Sequence, residues 1–205
     1  MAYTFPISFP NLGVASMNIR AVSVVGASVS PFTGQQQVYK HQGQWWEAEI
    51  SLPSMKRDEA EQVASFLIKL NGKYGTFLLG DKANIAPRGV GTGIPLVFGG
   101  SQTGDQLITD GWTVDTTGIL KAGDWIQLGS ASSSRLYKVL DDVNSDGSGI
   151  ATLNIFPNLR SIPSDNSSII VNSPKGQWRL SSNETNYSIN EASIYGITFA
   201  CIEAL

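Results

Sequence analysis

Residues of the types used in catalysis are sparse and stand in no catalytic pattern. His41 is the only histidine, and no serine or cysteine occupies a strained-turn motif, so a nucleophilic triad is not predicted. Cys201, the only cysteine, is predicted to be a small buried residue. Glu47 and Glu49 could supply paired carboxylates for glycoside hydrolysis, but seventeen acidic residues offer many such pairs and spacing selects none. The sequence predicts no catalytic residue and no enzyme.

Two short motifs suggest metal or phosphate binding, and both are incomplete. The run DVNSDG (residues 142–147) matches the first half of an EF-hand loop, but Leu153 stands where a bidentate glutamate is required. The run RGVGTGIP (residues 88–95) has Ile94 in place of the third glycine of a dinucleotide fingerprint. We predict a polar hairpin turn for the first run and a flexible inter-domain loop for the second, with no metal and no cofactor.

Composition narrows the classes of partner. The 205 residues are 41% hydrophobic and only 15% charged, which predicts that much of the surface faces protein. The net charge of −3 makes nucleic acid a poor specific partner, since binding to phosphate needs a basic excess. The N-terminus has no basic and apolar signal pattern, and no apolar run reaches the roughly 20 residues of a membrane span. Neither export nor membrane attachment is predicted.

The elements that would position these residues are mainly strands. Two-residue alternation predicts strands over 14–25 and 36–52, and the second contains the adjacent tryptophans of HQGQWWEAEISLP. Trp46 shares one face with Ala48 and Ile50, so we predict it in the core beneath the helix, whereas Trp45 shares the polar face with the glutamates. Trp45 is predicted to be half-buried against another strand or subunit.

One helix is predicted over residues 54–72. Five apolar residues recur at helical spacing, with Ser54 as the N-cap and Asn71-Gly72 as the C-cap: Ala60, Val63, Ala64, Leu67 and Leu70. A short strand, GTFLLGD, follows it.

Composition changes near Lys82, which predicts an inserted domain. Residues 84–174 contain no glutamate and read as short strands separated by turns, which suits a small β-barrel. Five basic residues against eight aspartates exclude a groove for nucleic acid, whereas sugar binding would tolerate acidity, with Trp112 and Trp125 as weak glycan-contact candidates. The predicted domains are 1–83 with 175–205, and 84–174.

The C-terminal segment SIYGITFACIEAL predicts a closing strand that rejoins the N-terminal strands. Tyr195, Phe199 and Cys201 share one face, and Thr198 and Ala200 lie on the other. Both faces are apolar enough to be covered, as in a central or interface strand. Tyr195 and Phe199 are therefore candidate interface residues together with Trp45.

The chain resembles the distal tail proteins of siphophages with long, non-contractile tails. The likeness lies in QWWEAEISLPSMKRDEAEQVASFLIKLNGKYGTFLL, an aromatic strand followed by proline, an acidic helix and a short strand. It continues in LKAGDWIQLGSASSSRLYKV with GIATLNIFPNL, similar to the inserted oligonucleotide/oligosaccharide-binding (OB)-like barrel, and in ITFACIEAL, similar to the closing strand.

This resemblance implies a β-sandwich or split-barrel ring domain, completed by the C-terminal strand, with the OB-like barrel inserted. It implies a structural protein in the virion, made in the host cytoplasm, whose six copies form a ring at the distal end of the tail tube. Its partners would be the tube protein, the tail hub or tip protein and side fibres, and DNA would pass through the ring without specific binding. The alternative is a carbohydrate-binding module of a tail or surface protein that contacts host glycans.

Overall fold

The structure, a computed structural model, describes residues 3–190 and 194–205. Met1, Ala2 and Ser193, the first residue of the predicted closing segment, lie outside the described residues. The described chain contains one α-helix, α1 (Arg57–Lys69), a 3-10 turn at Ala131–Ser133, and short and long strands in the order β1 (Ile7–Ser8), β2 (Ser16–Val29), β3 (Gln36–Ser51), β4 (Phe77–Leu79), β5 (Gly93–Val97), β6 (Gln106–Trp112), β7 (Trp125–Leu128), β8 (Arg135–Val139), β9 (Ala151–Phe156), β10 (Ile169–Ile170), β11 (Gly176–Leu180), β12 (Ser188–Ile189), β13 (Tyr195–Gly196) and β14 (Thr198–Glu203). The predicted mainly β fold with one helix is confirmed.

The first sheet gathers strands from both ends of the chain. Its order is β1-β4-β11-β14-β3-β2, in which β1 runs parallel to β4 and the other neighbours are antiparallel. Strand β14 lies between β11 and β3, so the C-terminal strand does rejoin the N-terminal strands as predicted. One face of this sheet is covered by α1 and by side chains of the second sheet.

The second sheet is an almost closed barrel. All of its strands lie between residues 93 and 170, in the order β10-β7-β8-β9-β6-β5. Its two ends meet at a bridge between Leu96 and Ser168, and Val97 N–H donates to the Ser167 carbonyl at 2.9 Å. The barrel has a core of its own, centred on fully buried residues such as Leu107 and Ile126. The predicted OB-like barrel is confirmed at the level of a small, nearly closed β unit.

Helix α1 has the predicted buried face but a different beginning. All five residues predicted at helical spacing are buried. Ser54 is not the N-cap, because Met55 is still extended and pairs with Tyr195, and the helix starts after Lys56. Asn71 and Gly72 have left-handed backbone, with φ of 51° and 63°, so the predicted turn follows the helix one residue after its C-cap.

The predicted flexible loop at residues 88–95 is instead fixed in place. Asp124, 3% exposed, accepts hydrogen bonds from the backbone N–H groups of Arg88, Gly89 and Lys121 at 2.9, 3.1 and 2.8 Å. The end of the run also belongs to β5, which sequence reasoning missed. A buried carboxylate surrounded by backbone donors therefore anchors the chain as it enters the barrel.

The run DVNSDG is a connection between antiparallel strands, as predicted. The Asp142 carboxylate accepts from Ala122 N–H at 2.9 Å, and the Asn144 side-chain oxygen accepts from Gly118 N–H at 2.7 Å. One oxygen of Asp146 accepts from two backbone N–H groups within the turn, both at 2.8 Å. These oxygens close loops within the protein.

The barrel is held firmly against the first sheet. The Arg160 guanidinium pairs with Glu203 of β14 through two contacts, of 2.6 and 3.3 Å, and the two side chains are 14% and 4% exposed. The Glu203 carboxylate also accepts a hydrogen bond from the backbone N–H of Trp46 at 3.2 Å. Gly80 and Pro174 lie where the chain enters and leaves the barrel, and a Cβ added at Gly80 would lie 2.0 Å from the Pro174 carbonyl oxygen. Little room exists for the barrel to swing.

Trp46 lies at this junction, which corrects the prediction that it sits beneath the helix. Its ring makes edge contacts with Trp125 and Phe156 of the barrel, at centroid distances of 4.8 and 5.0 Å. Its indole N–H donates to the Leu136 carbonyl at 3.1 Å. The predicted burial is correct, at 4% exposure, but the covering residues belong to the barrel.

Candidate assembly surface

The most distinctive surface is the outer half of the β2–β3 hairpin, which we call the hairpin arm (residues 22–43). Two strands pair from Val29 opposite Gln36 to Val25 opposite Lys40, and no third strand within residues 3–190 and 194–205 covers either side. The arm contains one lysine, one histidine and no acidic residue. It exposes a set of large apolar side chains by 39% to 95%: Val24, Val25, Val29, Phe32, Val38 and Tyr39.

The tip of the arm is an ordered turn. Ser30 N–H donates to the Gln35 carbonyl at 2.8 Å, and Gly34, with φ of 70°, donates to the Ser30 carbonyl at 3.0 Å. The Ser30 hydroxyl also accepts from the N–H groups of Phe32 and Thr33. Phe32 is therefore held on a defined turn while its side chain is 95% exposed.

Strand β2 is also an unprotected sheet edge. It is 14 residues long, it lies at the end of the first sheet, and Arg20 is its only charged residue. Proteins normally shorten edge strands or protect them with charge, proline or a covering element, because the unpaired backbone groups invite another chain. A long and nearly uncharged edge is what a strand that pairs in an assembly would have.

Trp45 lies on the uncovered face of the first sheet. The strict alternation predicted for β3 is confirmed, with Trp46, Ala48 and Ile50 buried on the opposite face. Trp45 is half-buried, and its indole N–H donates to Glu47 at 3.1 Å. Glu47 in turn accepts from Arg20 on β2 at 2.7 Å.

This uncovered surface, the open sheet face, extends across β14. It carries Arg20, Glu47, Glu49, Arg179 and several small or apolar residues, among them Ala200 and Ile202. Two arginines and two glutamates leave it without excess charge. The prediction that both faces of the closing strand are covered is wrong within one chain, because Thr198 and Ala200 are exposed.

The other two candidate interface residues are largely occupied by their own chain. Tyr195 is 7% exposed, pairs with Met55 through its backbone and stacks on Tyr187 with a centroid distance of 6.1 Å. Phe199 is half-buried against Phe9 and Phe77. Burial leaves Tyr195 little surface to offer to another copy, whereas Phe199 retains part of its ring.

The candidate glycan contacts are buried. Trp112 is 4% exposed and donates to the Thr109 hydroxyl at 2.8 Å, inside the barrel. Trp125 is 2% exposed, in contact with Trp46 and with its indole N–H on Asp81 at 3.2 Å. Sugar stacking requires an exposed ring face, and neither ring offers one in this structure, so their burial gives no support to a role as glycan contacts.

The barrel surface offers no exposed aromatic ring in its best-defined cleft on which a sugar could stack. This cleft on the barrel, of about 470 Å³, has serines as the most frequent lining residue. Tyr137 is the only aromatic residue lining it, and it is 1% exposed. Its hydroxyl accepts from Arg160 N–H at 3.1 Å, and burial raises the pKa of Tyr137. No specific geometry in this cleft favours a glycan.

The residues that could do chemistry are dispersed. His41 lies on the arm, exposed, and Cys201 lies in the core, where burial raises the pKa of its thiol. No group of three histidine, cysteine or acidic residues within residues 3–190 and 194–205 is arranged to hold a metal ion. None of the helical segments in that part of the chain is both long and apolar enough to cross a membrane.

An apolar recess at the base of the arm was not predicted from the sequence. We call it the junction groove, and it has a volume of about 420 Å³ and is lined by Ile19, Ala21, Trp46, Lys138, Leu140 and Phe156. Its residues come from β2, β3 and the barrel, so only the tertiary arrangement brings them together. Leu140, which lies between a strand and a polar turn, is the one residue of the groove whose position could have suggested it, and its side chain is 50% exposed.

No protein-family model matches this sequence, and no curated protein sequence matches it.

Proposed function

We propose that this chain is a non-enzymatic structural subunit of a phage tail. In this proposal six copies form a ring at the distal end of the tail tube, join the tube to the tip or hub, and leave a channel for DNA. The resemblance in the sequence suggests the place in the virion. The hairpin arm is the observation that supports assembly as the role.

The arm is a poor element for a chain that works alone. A two-stranded hairpin without a covering layer is marginally stable in water, and this one exposes valines, a tyrosine and a phenylalanine on a ribbon with a single lysine. Burial against another copy would remove these side chains from water and give the β2 edge a partner. A heterologous contact of this kind, repeated by rotation, closes into a ring.

Charge is compatible with a channel for DNA. Outside residues 84–174 the chain has nine basic and nine acidic residues, and the open sheet face has two of each. A channel lined by such a surface would not hold phosphates tightly, since tight binding needs many uncompensated lysines or arginines. The sheet face is thus suited to line a passage, with Trp45, beside Val22 at the base of the arm, at the border with the next copy, while the acidic barrel would face outward, where side fibres attach.

The rigid junction suits an adapter that transmits force. The barrel is joined to β14 through a buried ion pair and to β3 through an edge contact between two tryptophans, so force applied to it would pass directly to the ring. The carbohydrate-binding alternative has lost its two aromatic candidates, and no other observation favours it.

Light scattering coupled to size exclusion, followed by negative-stain microscopy, tests the proposal. We expect the mass of six 22.0 kDa chains and a six-fold ring with a central hole. Val38→Lys, on the arm, should lower the association. Ile94→Lys, which replaces an exposed β-branched residue on the barrel, should not. A strict monomer at every concentration up to about 100 µM, with both variants behaving like wild type, would contradict the proposal.

A further inference from the structure

The junction groove is an apolar site that one chain leaves unfilled. Trp46 and Phe156 form its floor with edges in contact, and Leu140 is 50% exposed at its rim. The only charged residue among its lining is Lys138, whose ammonium lies 4.5 Å from the centroid of the Trp125 ring. This ammonium is already stabilised by a cation–π contact, so the groove presents an apolar surface.

Phe32 has the complementary properties. It is the most exposed large hydrophobic residue of the described chain, at 95%, and its turn is fixed by the Ser30 hydrogen bonds. The nearest charged residue on the arm is Lys40, eight positions along the chain. The recess of about 420 Å³ is larger than the volume of a single phenyl ring.

The two features cannot meet within one chain. Eleven residues of paired strand and turn separate Ala21, in the groove, from Phe32, and at about 3.3 Å per residue they span up to about 36 Å. The paired strands do not fold back on themselves. Any groove that receives Phe32 therefore belongs to another copy or another protein.

We propose that Phe32 of one copy inserts into the junction groove of the next copy in the ring. This inference rests on the proposed ring, and it adds the occupant, the residues and the order of contact. Phe32 and the junction groove lie at different places on the molecule, so the contact is head-to-tail and repeats around a rotation axis. Each arm then reaches from the base of its own hairpin to the base of the next.

The length of the arm limits the distance between neighbouring grooves and the radius of the ring. If tip and groove coincide, equivalent grooves in neighbouring copies lie as far apart as the arm is long, up to about 36 Å. In a six-fold ring the distance between neighbours equals the radius, so the grooves would lie at most about 36 Å from the axis. The contact also includes barrel residues of the receiving copy, which makes the inserted barrel part of the ring interface.

Cysteine cross-linking provides the test, because the natural thiol does not interfere. Cys201 is 1% exposed. The test variant carries Phe32→Cys and Leu140→Cys, and the matched control carries Phe32→Cys and Val114→Cys, since Val114 is 53% exposed on the same barrel. After mild oxidation at about 100 µM, we expect a ladder of covalent multimers for the first pair and at most traces for the second.

A second pair of variants measures the contact without cross-linking. Phe32→Ala should weaken association about ten- to a hundredfold, the effect of losing one buried phenyl ring, and Leu140→Asp should weaken it similarly. Val114→Asp should leave association unchanged. Circular dichroism and thermal unfolding of each variant will show that folding is retained, since Phe32 and Leu140 contribute little to the core.

The outcomes separate this inference from the proposed function. A ring by light scattering with equal cross-linking of test and control pairs would overturn the docking and leave the ring intact. A selective ladder of the test pair without ring closure would support the docking and contradict the six-fold ring. Monomers with no cross-links for either pair would overturn both.

Discussion

The buried ion pair between the barrel and the first sheet leads to an asymmetric prediction. Arg160→Met keeps the apolar stem but leaves the Glu203 carboxylate, 4% exposed, without its counter-charge. Removal of one member of a buried pair costs about 3–5 kcal/mol, and we expect the lower end, about 3 kcal/mol, because Trp46 N–H still donates to the carboxylate. For a chain of this length that corresponds to a fall in melting temperature of about 6–12 °C.

The reverse substitution should cost less. Glu203→Gln keeps an acceptor for Trp46 N–H and leaves Arg160, which at 14% exposure can reach water, so we expect a loss of about 1–2 kcal/mol. The double variant should lose about as much as Glu203→Gln alone, because neither buried charge is then left unpaired. The coupling between the two sites is therefore expected to be about 2 kcal/mol or more.

Urea unfolding followed by tryptophan fluorescence measures these differences, and a surface pair supplies the control. Arg20 pairs with Glu47 at the same 2–3 Å range, but its side chain is 69% exposed, so Arg20→Met should change the free energy of unfolding by no more than about 0.5 kcal/mol. Equal losses in Arg160→Met and Arg20→Met, or additive losses in the double variant, would refute the claim that the buried pair fixes the barrel to the first sheet.

Three further predictions concern folding and reactivity. Gly80→Ala places a Cβ 2.0 Å from a backbone carbonyl oxygen of the returning chain and should lower the melting temperature markedly, whereas Gly100→Ala, with open space around it, should not. Trp46→Ala should cost about 3–5 kcal/mol of unfolding free energy in urea, whereas Trp45→Ala should cost much less and instead weaken association measured by light scattering. Because burial raises the pKa of Cys201 above its ordinary value of 9.0, the folded thiol stays protonated where the unfolded one ionises. Stability should thus fall as the pH rises from 8 to 10, and Cys201→Ala should reduce that slope.

Local patterns predicted the elements well because burial repeats with the period of the element. The two-residue period of β3 identified which side of the strand is buried, and helical spacing identified the buried face of α1. The change in composition near Lys82 indicated the inserted barrel for a similar reason, since short strands and turns need different residues from a helix. These features depend on neighbours in the sequence.

The partners across each buried face were not predictable in the same way. The period of β3 shows that Trp46 is buried but not that the barrel, rather than α1, covers it. Trp112 and Trp125 illustrate the same limit, because an indole in a short strand reads alike whether it faces solvent or a core. Ser54 failed as an N-cap since the pairing of Met55 with Tyr195, 140 positions later, keeps the chain extended.

The hairpin arm has apolar residues that its own chain leaves uncovered, and this mismatch indicates a partner. The β2 side of the arm has small and apolar residues on both faces, as a central strand of a sheet would have, and central strands need no charge because they have neighbours. The topology instead places β2 at the sheet edge, with Phe32 at the far end and no covering layer among the described residues on either side of the arm. Selection against aggregation normally adds charge to such an edge. An edge that is long and carries a single charge is best explained by a partner that pairs with it, and a second copy of the same chain offers a groove of matching chemistry.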